Sequence, residues 1–562
     1  MILMFLLLLW PLADLSAQTE KPSFRARTQL VEFTLVALGK GNAPIADLLK
    51  EEVEVYANGK RTEIAFFRAE GQPAPEPAPP ARPLPPGNFS NRPEYAPGPS
   101  RNVVAVVLDT MNTEAAQAMW ARAQVARYLR RFPPQTRMAV FLLGTRLTVL
   151  HDFTEDAESL RQRVEKAQLS VPLLEAGDIA AMARDAEQLL EMFPDDPQLE
   201  EILRNQIEIE GVYNAAVRTR RLKATLEALE ALGNHLTGIP GRKNLIWIGG
   251  GISMLNITGA MGFGPHGSIE SQENAVRGAA RRLAQKGIAL YAVDSNPLSQ
   301  PKDMNASVSR PTPIRGRGRF ESQQQTEEIS ADTLPASITM AEITGGRLIH
   351  DTNDPSEGMD YAVRDLRGAY SIGFYSTEEP DGKWHSLKVK VRRSGARLTY
   401  RQGYLLEAES PAAAPWTQAE LQTALRHPLG STSISIDASC RPAETGETGA
   451  ITMDLRIYPA SLYFKAGKDG SFAEVDIAVA EKKATGEMFV RQENGRFQDP
   501  LSLPAAPDSY RCLWSRTWKP AAGISALRVL VRDRSTGRFG TLDLSFEKIP
   551  PARTTKPTEG TE

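Results

Sequence analysis

At 562 residues the chain is too long for one hydrophobic core, and at roughly 100–200 residues per domain it must hold several units. Apolar residues make up 41% and charged residues 24%, which excludes a disordered or fibrous chain. A formal net charge of −2 removes any global electrostatic case for nucleic acid or an anionic membrane as partner.

The chain opens MILMFLLLLW and continues PLADLSAQTE, with small residues Ser16 and Ala17 near the expected cleavage point. This apolar run is shorter than the ~20 residues of a membrane span, so a signal peptide is expected over 1–17. The protein is then exported, either periplasmic or secreted. No lysine or arginine precedes the run, which keeps an uncleaved anchor as the alternative reading. No later segment reaches transmembrane length.

Residues 24–69 predict a small N-terminal β domain. Leu30, Val31, Phe33, Leu35 and Val36 form a β-rich run. Val53 and Val55 then alternate with charged residues, Asn58-Gly59 supplies a type I′ turn, and Ile64, Phe66 and Phe67 return. Residues 70–100 hold PAPEPAPPARPLPP and then Pro93, Pro97 and Pro99, which predicts a semi-rigid proline-rich linker.

From 101 to 370 strands and helices alternate. VVAVVL at 103–108 ends in Asp109. MAVFLL covers 138–143, a third strand is expected at 147–150, and NLIWI covers 244–248. IALYAV at 288–293 ends in Asp294, and a short strand follows at 347–350. Helices are expected near 114–132, 217–237, 271–286, 333–344 and 356–368. Continuous apolar runs suit parallel strands covered on both faces. The fold class is therefore multidomain, with a doubly wound, Rossmann-like α/β central domain and flanking all-β domains. Two insertions interrupt the central domain. One is helix-prone, at 170–215, and is broken by Phe193-Pro-Asp-Asp-Pro197; the other is a flexible loop at 296–330.

Leu387, Val389 and Val391 alternate with Lys388, Lys390 and Arg392, a half-buried strand in a β extension over 371–407. Further short strands and turns over 415–549 predict a C-terminal β-sandwich, and 550–562 a disordered tail. Cys440 and Cys512 are the two cysteines, and in an exported chain they are candidates for one disulfide or for two separate buried thiols.

Asp109 stands at a strand end and is followed by Thr110-Met-Asn-Thr113. Here the chain resembles the von Willebrand factor A family, whose adhesion motif is Asp-x-Ser-x-Ser. That resemblance implies a Mg²⁺ site in which Asp109 and Thr113 would be ligands and a partner carboxylate would complete the shell. The match is degenerate. Met111 replaces the first serine, and Gly249-Gly-Gly-Ile-Ser253 stands where the family carries an aspartate. Asn112 and Ser253 are the oxygens left to a rearranged site; the plainer alternative is that Asp109 caps the loop that follows it. The chain is similar in more detail to exported von Willebrand A-related proteins typical of Acidobacteria. That likeness covers most of 24–407. It rests on Gln29-Leu-Val, Asn58-Gly-Lys, the 109–113 motif, Gly241-Arg-Lys-Asn-Leu-Ile-Trp247, Ala292-Val-Asp294 and Arg401-Gln-Gly-Tyr404.

No Gly-x-Ser-x-Gly, His-Glu-x-x-His or Gly-x-x-x-x-Gly-Lys-Ser/Thr pattern occurs. The expectation is a non-catalytic module that binds a protein or peptide through Asp109, Asn112, Thr113 and Ser253, with no cofactor or, on the family's precedent, Mg²⁺. Two alternatives remain. One is an exported hydrolase-like enzyme drawing on His151, His350 or Asp294. The other is a structural envelope protein.

Overall fold

The computed structural model describes residues 29–70, 84–95, 102–133, 136–169, 197–251, 269–295, 335–350, 354–406, 414–444, 449–467, 470–499 and 512–549, with Thr352 and Glu447. The signal peptide, the 296–330 loop, the C-terminal tail, the first half of the helical insertion and most of the proline-rich linker lie outside these residues. At the N-terminus, β1 (Gln29–Leu38) precedes a hairpin of β2 (Val53–Ala57) and β3 (Lys60–Thr62), then β4 (Ile64–Ala69). Asn58 and Gly59 both take positive φ at the hairpin turn, 48° and 79°, as a type I′ turn requires. After a short strand, β5 (Asn88–Ser90), the chain enters the α/β region.

That region is one six-stranded sheet. Its strands are β6 (Val103–Asp109), β7 (Arg137–Leu143), β8 (Leu147–Thr154), β9 (Lys243–Gly249), β10 (Ile288–Asp294) and β11 (Arg347–Ile349), in the order β11-β10-β9-β6-β7-β8. Helices cover both faces. On one side Ala105, Val107, Leu245, Trp247 and Leu290 meet α3 (Pro197–Leu236), α4 (Ile269–Gln285) and α5 (335–344). On the other, Val104, Val106, Ile246 and Tyr291 meet α1 (Ala115–Leu129), α2 (Ala157–Lys166) and α6 (Ser356–Arg367). Burial on both faces is why these strands are apolar throughout rather than alternating.

Two elements differ from the sequence expectation. The third strand runs antiparallel to β7 at the sheet edge, while the other neighbours are parallel. The connection explains it: Gly144–Arg146 is a hairpin loop, whereas a parallel return needs a crossover of a dozen or more residues. The described half of the helical insertion is continuous with the core helix. α3 begins at Pro197, a residue suited to the first helical position, and runs 40 residues. Leu222, Leu229, Leu232 and Leu236 pack on the sheet. At 1.5 Å per residue the earlier turns therefore extend roughly 35 Å past its strand-end rim.

The chain then returns to where it started. β12 (Ala369–Ser376), β13 (Trp384–Val391), β14 (Arg397–Tyr400) and β15 (Gly403–Leu405) complete two four-stranded sheets, β14-β1-β12-β4 and β15-β13-β2-β3. The separate N-terminal domain and β extension expected from sequence are thus a single sandwich. Phe33, Leu35, Val55, Ile372, Phe374 and Leu387 share its core. β1 lies antiparallel to β12 from Gln29↔Ser376 to Val36↔Ala369. The α/β region is an insertion between β4 and β12, and its ends are tied together. The Glu70 N–H donates to the Ala369 carbonyl at 2.8 Å, and Asn102 Nδ2 to the Glu70 carbonyl at 3.1 Å.

Buried arginines join the sandwich to the start of the parallel strands. Arg242, 1% exposed, donates to Thr34 Oγ1 (3.1 Å), the Tyr291 hydroxyl (3.2 Å) and the Gly345 carbonyl (2.9 Å). Tyr291 in turn donates to Asp365 at 2.6 Å. Arg401 donates to the carbonyls of Ala284 and Glu32, both at 2.9 Å. Next to Arg242, burial pulls the Lys243 ammonium down to about 8 while its Nζ donates to the Ile239 carbonyl at 2.9 Å. The Gly241-Arg-Lys and Arg401-Gln-Gly-Tyr stretches, which stood out in the sequence, are this joint.

The C-terminal unit opens with α7 (Gln418–Arg426), whose Thr417 and Glu420 form a capping box. Eight strands follow: β16 (Ile436–Pro442), β17 (Ile451–Ile457), β18 (Lys465–Gly467), β19 (Gly470–Lys483), β20 (Met488–Gln498), β21 (Cys512–Trp518), β22 (Ile524–Asp533) and β23 (Phe539–Ser545). They form two facing sheets around Met453, Leu455, Ile477, Val479 and Val529. β5 adds to β16 as an edge strand, Asn88↔Ser439 to Ser90↔Asp437, so this part of the supposed linker is docked. Its three residues lack proline, and Phe89 packs into the sandwich core. Cys440 and Cys512 are both free and buried. Cys440 faces Met453 and Cys512 faces Ile457, four positions apart along β17, which rules out a bond between them.

Gly345 tests the joint between sandwich and insertion. Its φ is +71°, and a Cβ there would stand 2.4 Å from the Tyr400 carbonyl carbon and 2.6 Å from the Arg401 nitrogen. Gly345→Ala is expected to cost more than about 3 kcal/mol in urea unfolding. Gly395→Ala, at φ +75° but in open space, is expected to cost only about 1–2 kcal/mol. Equal costs for the two would show that the joint is not tightly packed.

Candidate functional site

Ligands of open parallel sheets bind outside the carboxyl ends of the strands. In this chain the sandwich is bonded to the opposite, strand-start end. Leu108, Ile248 and Val293 lie side by side, and Asp109, Gly249 and Asp294 follow them in the next row. Thr110 and Met111 donate their N–H groups to the Leu143 carbonyl (2.8 and 3.1 Å), which turns the chain off the sheet.

The Asp109 carboxylate points inward and is 2% exposed. Its Oδ1 accepts from the N–H groups of Met111 and Asn112, both at 3.0 Å. Its Oδ2 accepts from Asn112 Nδ2 at 2.7 Å and from the Trp247 indole N–H at 2.9 Å. A carboxylate offers about four lone-pair sites, and all are engaged. Burial pushes its pKa up, and hydrogen bonds from Asn112, Trp247 and Met111 pull against that rise. The Thr113 hydroxyl donates to the Asp109 carbonyl and accepts from the Gly250 N–H at 2.8 Å. Asn112 Nδ2 also reaches Thr225 Oγ1 on α3 at 3.0 Å.

The two loops touch so closely that β9 must end in glycine. A Cβ on Gly249 would lie 2.8 Å from the Asp109 Cβ and 2.9 Å from Thr113 Oγ1; one on Gly250 would lie 2.4 Å from the Asn112 carbonyl oxygen. The aspartate that the A family carries after this strand has no room here.

Mg²⁺ demands several free oxygen ligands in octahedral geometry. Asp109 is saturated by N–H donors, Thr113 is engaged on both sides, and Met111 offers only a thioether. These residues do not fit a metal ion. Among the described residues no three His, Cys, Asp or Glu side chains gather at a metal-binding distance. Asp109 and Thr113, expected as metal and partner ligands, are instead the internal fastening of the 109–113 turn, because peptide and indole N–H groups have filled the positions a cation or partner would need. Asn112 keeps partial exposure, and Ser253 lies outside the described residues.

Three residues enter this site that the sequence did not mark: Trp247, Thr225 and Arg221. Trp247 was legible as a strand residue facing the same side as Asp109, but nothing in the sequence tied Thr225 to Asn112. Arg221 lies one turn before Thr225 on α3 and is half-buried. Burial pulls its pKa down and the nearby Asp109 charge opposes that.

Of the residues suggested for hydrolysis, Asp294 and His350 follow the paired residues Val293 and Ile349 on neighbouring strands, and His151 is not with them. His151 lies on β8 and His350 follows β11, at opposite edges of the six-stranded sheet. Five strand spacings separate them, about 24 Å at ~4.8 Å each. His151 Nε2 is bonded to Ser159 Oγ at 2.8 Å, and Asp152 faces His235 at 3.8 Å, beside the C-terminal unit.

Asp109→Ala is expected to destabilise the protein by about 3–5 kcal/mol, because it leaves the buried Met111 N–H and Trp247 indole N–H unpaired and takes a partner from Asn112. Asp109→Asn should recover little, since its amide nitrogen meets N–H groups. Urea unfolding followed by tryptophan emission reads the cost. Thermal-shift titration of the wild type with Mg²⁺, Mn²⁺ and Ca²⁺ should show no stabilisation. A neutral Asp109→Ala, or a metal-dependent shift lost in that variant, contradicts this geometry.

No protein-family model matches the chain, and no curated protein matches it. Among solved structures it is similar to an aerotolerance-related membrane protein from Bacteroides fragilis, at 12% identity and a TM-score of 0.23, over 47% of this chain and 98% of that one. It is also similar to proximal thread matrix protein 1 from the mussel byssus, which has a zinc-occupied metal-adhesion motif, at 11% identity and TM-score 0.23, over 50% and 48% of the two chains. A third is the PilB minor pilin of Streptococcus sanguinis, at 8% identity and TM-score 0.23, over 48% and 62%. At these scores the likenesses carry no argument about fold or activity.

Proposed function

We propose that the chain is a non-catalytic binding or assembly protein of the exported type, with a von Willebrand A-like α/β region as its recognition unit. One observation carries the reading. The strand-start end of the parallel sheet is bonded to the β-sandwich, Arg242 to Thr34 and Arg401 to Ala284, and the strand-end rim is the face proposed for recognition. The sandwich is a rigid base, and the rim loops 109–113 and 249–251 are locked to each other and to α3. Such prebuilt loops favour recognition, because little ordering entropy is lost when a partner arrives. Export rests on the apolar run at the start of the sequence, and no described helix is long and apolar enough to cross a membrane. The separation of His151 from His350 weighs against the hydrolase alternative.

Photo-crosslinking in intact cells tests the presented face. Crosslinkers at the exposed rim positions Glu114 and Arg220 are expected to trap one discrete partner, and one at Lys388 on the sandwich to trap none. The same partner captured from Lys388 alone would move the interface to the sandwich.

A further inference from the structure

The net charge of −2 hides an uneven distribution. The sandwich has two outer faces. Thr34 on β1 alternates with the inward Phe33 and Leu35, so the outer face of β14-β1-β12-β4 is the one that meets Arg242 of the insertion. The outer face of β15-β13-β2-β3 lies across the sandwich core from it. There Lys388 and Lys390 alternate with the inward Leu387, Val389 and Val391, and Arg392 follows in the same row. At ~3.4 Å per residue these cations stand about 7 Å apart. Arg61 joins them, because Lys388 lies opposite Tyr56 and Tyr56 lies opposite Arg61.

We propose that this face docks on an anionic lipid surface. Its four cations, Arg61, Lys388, Lys390 and Arg392, stand against one carboxylate, Glu54, which lies opposite Lys390. Arg392 donates to Glu54 Oε1 at 2.8 Å and Arg61 approaches the same oxygen at 3.5 Å, so two guanidiniums share one negative charge. Lys390 Nζ sits 5.0 Å from the Tyr56 ring centroid. The face therefore carries a surplus of positive charge, and charge complementarity selects a negative partner. Lysine ammonium groups are compact, hydrated point charges on flexible stems, unlike the planar fork that grips a single phosphate. A flat row of them suits many mobile headgroups at once. Each lysine or arginine held near an anionic bilayer strengthens binding about fivefold. The apolar opening run directs the chain to a membrane, whether it is cleaved or retained. Docked in this way, the chain meets lipid with the side of the sandwich that faces away from the insertion and its strand-end rim. A lipid surface offers no protein to a crosslinker at Lys388.

Vesicle co-sedimentation of the chain from Gln18, the expected mature form, tests this. Vesicles of phosphatidylcholine with about one-third phosphatidylglycerol are expected to bind it, and pure phosphatidylcholine vesicles not to. Raising NaCl from about 0.05 M to about 0.5 M should remove the binding, because salt screens exposed charges. Lys388→Gln with Lys390→Gln should weaken binding about tenfold or more, and Lys388→Arg with Lys390→Arg should retain it. Arg163→Gln with Lys166→Gln removes the same charge from exposed positions on α2 and should change nothing. Unchanged melting of the Lys388→Gln, Lys390→Gln pair shows that the loss is not unfolding. Equal binding to both vesicle types, binding that survives salt, or full affinity without the two lysines each overturns the proposal. Equal weakening by the α2 pair also overturns it, by tracing the binding to net charge rather than to this face. If dextran sulfate binds through Lys388 and Lys390 while vesicles do not, the face takes a soluble anionic polymer and the lipid assignment falls. The rim takes no part in these measurements, so the docking reading above stands or falls separately.

Discussion

The structure depends on the antiparallel pairing of β1 with β12. These strands are more than three hundred residues apart, and their ladder closes a sandwich around an inserted α/β region. Phe33, Leu35, Ile372 and Phe374 pack into the core this pairing creates. Closing so long a loop carries an entropic cost, but that cost grows only slowly with loop length. The ladder and its apolar core repay it, and the insertion's ends are then fixed side by side.

That closure decides which end of the parallel sheet the sandwich covers. Arg242 reaches from the insertion to the Thr34 hydroxyl of the sandwich, and Arg401 reaches from the sandwich side to the Ala284 carbonyl of the insertion. The other end is the strand-end rim. There an aspartate at a strand end has been turned inward by an indole and three amide donors.

The strands buried on both faces were legible because burial imposes continuous apolarity: VVAVVL, MAVFLL, NLIWI and IALYAV each sit within a strand. Less followed from local pattern. β20 reads MFVRQENGRFQ, polar with a central glycine, and is a strand because β19 pairs with it from Phe472↔Gln498 to Lys482↔Met488. β5 is three residues among prolines and owes its conformation to β16. The direction of β8 was fixed by the length of its loop, a clue present in the sequence. At the site, Asp109 could be placed at a strand end, but its inward turn could not. Its partner Trp247 is 138 residues away, and Thr225 is 113 residues from Asn112. Similarly, nothing local distinguishes the arginines at 242 and 401 from solvated ones; only the assembled joint does.

Native-state hydrogen exchange on the full chain, read by mass spectrometry, measures the central constraint directly. The amides of β1 should exchange as slowly as those of β12, and Phe33→Ala should speed both strands together. Rapid exchange of β1 while β12 stays protected would show that the two do not form one sheet, and the sealed joint and the presented rim would lose their foundation.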